Sequence, residues 1–280
     1  MADQIMTSGT ELGAIVPEVW SANTYEVLKN KLMFNASIDH NYEGDISDLG
    51  DTVNIHSIPE FDEANELAEG SKADADSVTV TSQQLVINKR VVKDFILTKK
   101  AMIQSIDKMD KLRDHAAYSI MKKIDSTIIA TIVPSASAPD HDIAFDSGTT
   151  LALADILEGK ELLDTANVPQ EGRKMRVGTG QFNDVFNISG YTSKDFVPVG
   201  SPLSSGMIEF PIAGFELDWS NQLGNVAYLF HPSFLTLAVQ EQMAVGVYDL
   251  GSEGKRALRV NNDLLYGLKQ LDNKRIVKIS

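Results

Sequence analysis

Five histidines, His40, His56, His115, His141 and His231, are the only imidazoles in the chain. Metal capture would need two of them, or one with carboxylates, at a ligating spacing. No HExxH or HxH pair occurs. The densest group of ligand-type residues is Asp140-His141-Asp142. It lies in a Pro/Ala/Ser stretch without further spaced acids or the glycine of a calcium-binding loop, so it reads as an ordinary surface loop. Gly178-Thr179-Gly180 follows a short apolar run and precedes a helical one, like the first half of a dinucleotide cradle. The third glycine position is Asn183, and no β-α-β unit precedes it, so the segment reads as a turn. There is no phosphate-binding GxxxxGK[ST] loop and no GxSxG elbow. With no cysteine, thiolate metal sites, cysteine nucleophiles and disulfides are excluded. Carboxylate pairs arise by chance among 39 acidic residues and carry no weight for acid–base work. The expectation is a protein with no catalytic residues, no cofactor and no metal.

Charge and size narrow the classes further. The chain has 280 residues, 25 basic against 39 acidic, for a net charge of −14. Proteins that grip duplex DNA over their whole surface are usually basic, because phosphate contacts dominate that affinity. A surface of this sign can lie beside DNA without holding it. The first six residues lack the basic and apolar regions of a signal peptide, and no apolar run approaches a membrane span. A chain of this length buries about 70% of its unfolded surface, and 43% hydrophobic residues supply the material.

The elements that would position any site follow from periodicity. Residues 1–16 read as an extended arm. Pro17 opens a short helix to about residue 32, with Trp20 and Leu28 on its buried side. Residues 51–58 and 77–87 alternate as strands. Between them, residues 59–76 carry Glu60, Asp62, Glu63, Glu66, Glu69, Asp74 and Asp76 against Lys72 alone, a net of −6 in eighteen residues. A hairpin so acidic has little core of its own, and isolated two-stranded ribbons are marginal in water. An external support, such as a neighbouring subunit, is implied.

Residues 98–133 carry the strongest helical pattern. Ile106, Met109, Leu112, Ala116, Ile120, Ile124 and Ile128 repeat in steps of three and four. Lys99, Lys100, Lys111, Asp114, Lys122, Lys123 and Asp125 fill the opposite, solvated face. Thr98 would cap this helix and Pro134 would end it. A rod about 50 Å long without a strict heptad suits a spine lying on a sheet. A Pro/Ser/Ala linker over 134–150 leads to a helix over 151–168. Short buried strands follow near 175–177 and 228–230, with loops and short strands over 191–226. Strands at 234–239, 243–248, 256–260, 264–268 and 275–279 complete the chain. Residues 251–280 hold seven basic against three acidic residues, net +4. The chain is therefore polarised, with an acidic hairpin early and a basic tail late.

An arm, a hairpin in need of a partner, a spine helix and a strand-rich tail describe a subunit built for assembly. The sequence resembles the major capsid proteins of tailed double-stranded DNA bacteriophages, the Hong-Kong-97-type family. The segments that carry the resemblance are Ile15-Val16-Pro17-Glu18-Val19-Trp20 with Leu28, Asp51-Thr52-Val53-Asn54-Ile55, and Leu162-Leu163-Asp164 with Asn167-Val168-Pro169. Tyr266-Gly267-Leu268 leading to Arg275-Ile276-Val277-Lys278-Ile279 completes the set.

The resemblance implies an α+β fold. Residues 1–42 would be the N-terminal arm and 43–97 the extended loop (E-loop). Residues 98–150 and 232–262 would form the peripheral (P) domain with its spine helix. Residues 151–231 and 263–280 would form the axial (A) domain. It further implies pentamers and hexamers in an icosahedral head shell that encloses double-stranded DNA without specific binding. Portal, scaffolding and decoration proteins would be partners, with assembly in the host cytoplasm and the virion as destination. Some relatives cross-link a loop lysine to a neighbour's asparagine; Lys72 sits in the matching loop and Asn261 and Asn262 in the matching region, without a matching motif.

For the acidic tip, candidate basic counter-patches on an adjacent copy are Lys99, Lys100, Lys122, Lys123, Lys255, Arg256 and Arg259. Such rim pairs steer register more than they add affinity. Two other readings compete. An encapsulin-like nanocompartment shell would share the fold but carry protein cargo. A soluble acidic enzyme would sediment as a small oligomer.

Overall fold

A computed structural model describes residues 29, 32–43, 52–57, 66, 69, 72, 79–98, 109–188, 211–250 and 257–280. The helix expected over 17–32 lies outside these, apart from residues 29 and 32. Three sheets and three helices organise the described residues.

The first sheet is a hairpin, β1 (Thr52–Ser57) against β2 (Thr81–Val86). The second has three strands in the order β3-β9-β8, from β3 (Lys89–Thr98), β9 (Ala257–Gln270) and β8 (Leu235–Asp249). The third has five strands in the order β4-β10-β7-β5-β6. They are β4 (Asp142–Ile143), β10 (Ile276–Ile279), β7 (Ala227–Phe230), β5 (Lys174–Val177) and β6 (Glu216–Trp219). Mixed strands and helices give the expected α+β class.

Helix α1 (Met109–Thr131) is about 35 Å long and buries Ala116, Ile120, Ile124 and Ile128, one residue per turn. These side chains face Leu235, Leu237, Leu264 and Tyr266 of the three-stranded sheet, as a spine on a sheet should. Thr98, expected to cap this helix, is the last residue of β3 and pairs with Ala257, and residues 99–108 lie outside the described residues. Asp125 departs from expectation, because it is buried rather than solvated.

Helix α2 (Leu153–Thr165) covers the five-stranded sheet through Ile156 and Leu163. The buried Asp155 accepts from the main-chain N–H of Ala152 (2.8 Å) and of Asp146 (3.1 Å), which fixes the helix start. Asn167, with φ of 54°, reverses the chain at its end. Helix α3 (Thr179–Val185) follows β5 through Gly178. A Cβ there would sit 1.7 Å from the carbonyl oxygen of Gly224, so glycine is required by close approach. Of the Gly178-Thr179-Gly180 segment, expected as a turn, Gly178 makes the turn and Thr179 and Gly180 open the helix.

Every residue of β7 is buried, and the strand feeds two cores. Ala227 and Leu229 point toward α2; Tyr228 and Phe230 point toward Phe34 and α1. The strands expected at 234–239 and 243–248 are one strand, β8, with register shifts near Glu241. Those expected at 256–260 and 264–268 are likewise continuous in β9. The boundary expected between residues 262 and 263 therefore falls inside a single strand. The polar run Asn261-Asn262-Asp263 does not break it, because the Asn262 amide donates across to the Lys93 carbonyl oxygen (3.3 Å).

Candidate assembly surface

The β1–β2 hairpin leaves the body from a small core of its own chain. Leu85, Ile87 and Ala238 are buried there, packed by Tyr42, Val53, Ile55 and Leu265. Gly267 lets β2 cross β9, since a Cβ would lie 2.8 Å from the Val86 carbonyl oxygen. Gln83 donates to the Leu271 carbonyl oxygen at 3.1 Å. The base of the hairpin is thus held by its own subunit. Pairing ends at Ser57 and Thr81, and the acidic residues lie in the connection beyond.

Of the acidic tip, Glu66 and Glu69 are described, and both are exposed, as is Lys72. Glu60, Asp62, Glu63, Asp74 and Asp76 lie outside the described residues. Among the counter-patch candidates, Lys122 and Lys123 are exposed on α1. Lys99, Lys100, Lys255 and Arg256 lie outside the described residues. Arg259 is engaged within its own chain: its Nε donates to Asp94 Oδ2 at 3.0 Å and its Nη2 to the same oxygen. Arg90 holds Asp263 in the same way, with Nε at 2.7 Å. These two diagonal pairs stitch β3 to β9 on one face. That hydrogen bond from Arg90 holds the Asp263 carboxyl below the usual carboxylate range. Exposed Val92 and Ile96 lie on β3, and exposed Tyr248 lies on β8 opposite Arg259.

A second arrangement was missed by sequence reasoning. Residues 33–39 are pinned where the spine and both larger sheets meet. Asp125 accepts from the main-chain N–H groups of Phe34 (2.9 Å), Asn35 (3.2 Å) and Met33 (3.3 Å). Burial pushes its carboxyl up, and these three donors oppose the shift. The guanidinium of Arg176, also buried, donates to Ser37 Oγ at 2.9 Å and to the Glu216 carbonyl oxygen at 3.0 Å. Asp39 joins the start of β8: Leu237 N–H donates to its carbonyl oxygen at 3.0 Å. Phe34 stacks on Phe230 with ring centroids 5.8 Å apart and meets Tyr228 edge-on. Nothing in the i+3, i+4 pattern marks Asp125, since charges on both sides of it are solvated.

His141 corrects another expectation. It is no surface residue: its ring is buried, with Nδ1 3.0 Å from the Ile276 carbonyl oxygen. Asp142 pairs instead with Lys278 (3.2 Å). Among the described residues no group of three or more carboxylates or imidazoles could hold a metal ion. No helix among them is long and apolar enough to cross a membrane.

A pinned arm, a projecting hairpin, a spine on a three-stranded sheet and a five-stranded domain define a shell-forming subunit. Residues 45–280 match the phage capsid protein family, and the chain belongs to it. Its fold is the Hong-Kong-97-type capsid fold. It is similar to a chain from Mycobacterium phage Che8, with 22% identity, 96% of this chain and 98% of that chain covered, and a TM-score of 0.77. It is also similar to the capsid structure of the cyanophage P-SCSP1u, with 10% identity, 97% and 94% covered, and a TM-score of 0.76. The capsid asymmetric unit of cyanophage Pam1 aligns over 100% of this chain and 98% of that one, at 14% identity and a TM-score of 0.72. No curated protein matches in sequence. The chain is a major capsid protein: a structural, homo-oligomeric component of the bacteriophage head shell, located in the virion.

Proposed function

We propose that this chain assembles through pentamers and hexamers into an icosahedral shell around double-stranded DNA, in the host cytoplasm, without catalytic activity or specific DNA contacts. The family match over residues 45–280 carries this reading. Repetition by symmetry turns many moderate contacts into a stable container. Portal, scaffolding and decoration proteins are the partners that such a shell takes.

The division proposed is arm 1–42, E-loop 43–97, P domain 98–150 and 232–262, and A domain 151–231 and 263–280. Two cores underlie it, one between α1 and the three-stranded sheet and one under α2, and β7 and β9 tie the two parts together. In the shell, the acidic tip of Glu60, Asp62, Glu63, Glu66, Glu69, Asp74 and Asp76 meets basic side chains of an adjacent copy. Exposed Lys122 and Lys123 are the best-supported counter-patch, because Arg259 already serves Asp94. Same-sign subunits repel, yet screening over about 8 Å confines that cost to close pairs. Sedimentation of the purified protein tests the reading: large discrete particles agree with it, and a monomer or small oligomer under all conditions refutes it.

A further inference from the structure

Two chain crossings join the three-stranded sheet to the five-stranded one, and they run side by side. One is His231 to Phe234, between β7 and β8; the other is Leu271 to Arg275, between β9 and β10. Leu271 N–H donates to the Phe234 carbonyl oxygen (2.8 Å), and His231 N–H to that of Arg275 (3.1 Å). The exit from α1 is tied to the same place, since Ser135 N–H donates to the Asn273 carbonyl oxygen (3.1 Å).

A chain of hydrogen bonds spreads from Arg275 through this junction. Asp272 Oδ2 accepts from Arg275 Nε (3.1 Å), and Arg275 Nη1 donates to Ser233 Oγ (2.6 Å). The Ser233 hydroxyl hydrogen is then directed at His231 Nδ1, 2.7 Å away. Ser233 N–H donates to the same nitrogen at 3.3 Å, so the ring caps the 3-10 turn of residues 232–234. Two donors therefore converge on Nδ1, which must be unprotonated. A main-chain contact with Glu171 acts the other way and favours the charged ring.

We propose that neutral His231 is a latch on the junction between the two sheets, and that protonation at Nδ1 releases the 232–234 turn and loosens both crossings. A proton on Nδ1 would face the Ser233 N–H donor to donor, and the Ser233 hydroxyl, already accepting from Arg275, would have to turn its hydrogen away and take a second cationic donor. The charged groups around the ring add to this. Arg275 of the second crossing and Arg173 ahead of β5 disfavour an imidazolium, while Asp39 beside β8 is the one carboxylate that favours it. Burial is the larger cause and the arginines act with it, so the folded ring titrates below its ordinary value near 6.5. The sign follows: the latch is fully closed above about pH 6.5 and its contribution is lost as pH falls below that. This goes beyond the capsid reading, since it concerns a junction within one chain.

Hydrogen–deuterium exchange on the full chain, in whatever assembly it forms, tests the latch. Rates for residues 231–237 and 270–276, corrected for intrinsic chemistry, should rise severalfold between about pH 7.5 and pH 5. His231→Asn keeps a capping oxygen but cannot titrate, and its rates should stay flat. His231→Leu should exchange fast at both pH values. A wild-type rate without pH dependence, or the same rise in His231→Asn, overturns the proposal. Because the readout is local, failure here is distinct from failure to form shells.

Discussion

The carboxylate of Asp125, in the middle of the spine helix, lies 2.9 Å from the main-chain nitrogen of Phe34, 91 positions earlier in the chain. A helix side chain thereby replaces the hydrogen bonds that a strand or turn would have given residues 33–35. The arm's route over the body is set by this contact and by the Phe34 rings beneath it.

Asp125→Ala should therefore cost about 3 kcal/mol, because three main-chain donors lose their acceptor in a buried place. Asp125→Asn, which keeps one acceptor and removes a buried charge, should cost about 1 kcal/mol. Chemical denaturation of the two variants checks the order. On acidification Asp125 itself is not the weak point. Its carboxyl is raised by burial, so the folded chain takes up this proton at higher pH than the unfolded chain does, and that favours folding as pH falls.

Arg176→Met should loosen the arm from the five-stranded sheet. The guanidinium is buried and serves Ser37, Met175 and Glu216, so its loss leaves several polar atoms without partners. A cost of about 3 kcal/mol is expected, with faster proteolysis near residues 33–39. An unchanged cleavage pattern would show that Asp125 and the Phe34 ring hold the arm without Arg176.

The pair Arg90–Asp263 predicts an acid-labile contribution of modest size. Asp263 has a lowered pKa, so its stabilisation is complete above the ordinary value of 3.8 and fades as pH falls through the lowered one. Arg90 is 64% exposed, which limits the effect to about 1 kcal/mol or less. Denaturant midpoints of wild type and Asp263→Asn should differ at neutral pH and converge as pH falls below the ordinary carboxylate value of 3.8.

Reversing Glu63, Glu66 and Glu69 to lysine should impair assembly at low salt while leaving subunit stability nearly unchanged, because the effect of rim charges is on register and encounter. Normal shell formation at low ionic strength would dismiss the acidic tip as a contact.

Much of the fold was legible because its signals are local. Spacing by three and four gave α1 and α2, apolar runs gave β5 and β7, and alternation gave β1. The misreadings share a physical cause: pairing partners distant in sequence decided them. Asn261-Asn262-Asp263 reads as a break until Lys93 and Arg90 satisfy it from β3. Asp125 and His141 look solvated because their partners, Phe34 and Ile276, are main-chain groups far along the chain and leave no periodic trace. The acidic character of residues 59–76 was plain, whereas the small core at the hairpin's base depended on Leu85 meeting Ala238 across the fold.

The most direct test of the central claim is a cryo-electron microscopy map of particles formed by the purified protein, read at residues 59–76. Closed icosahedral shells in which this acidic segment lies across an adjacent copy are predicted. A small discrete oligomer, or a shell in which the segment rests on its own subunit away from every neighbour, would contradict it.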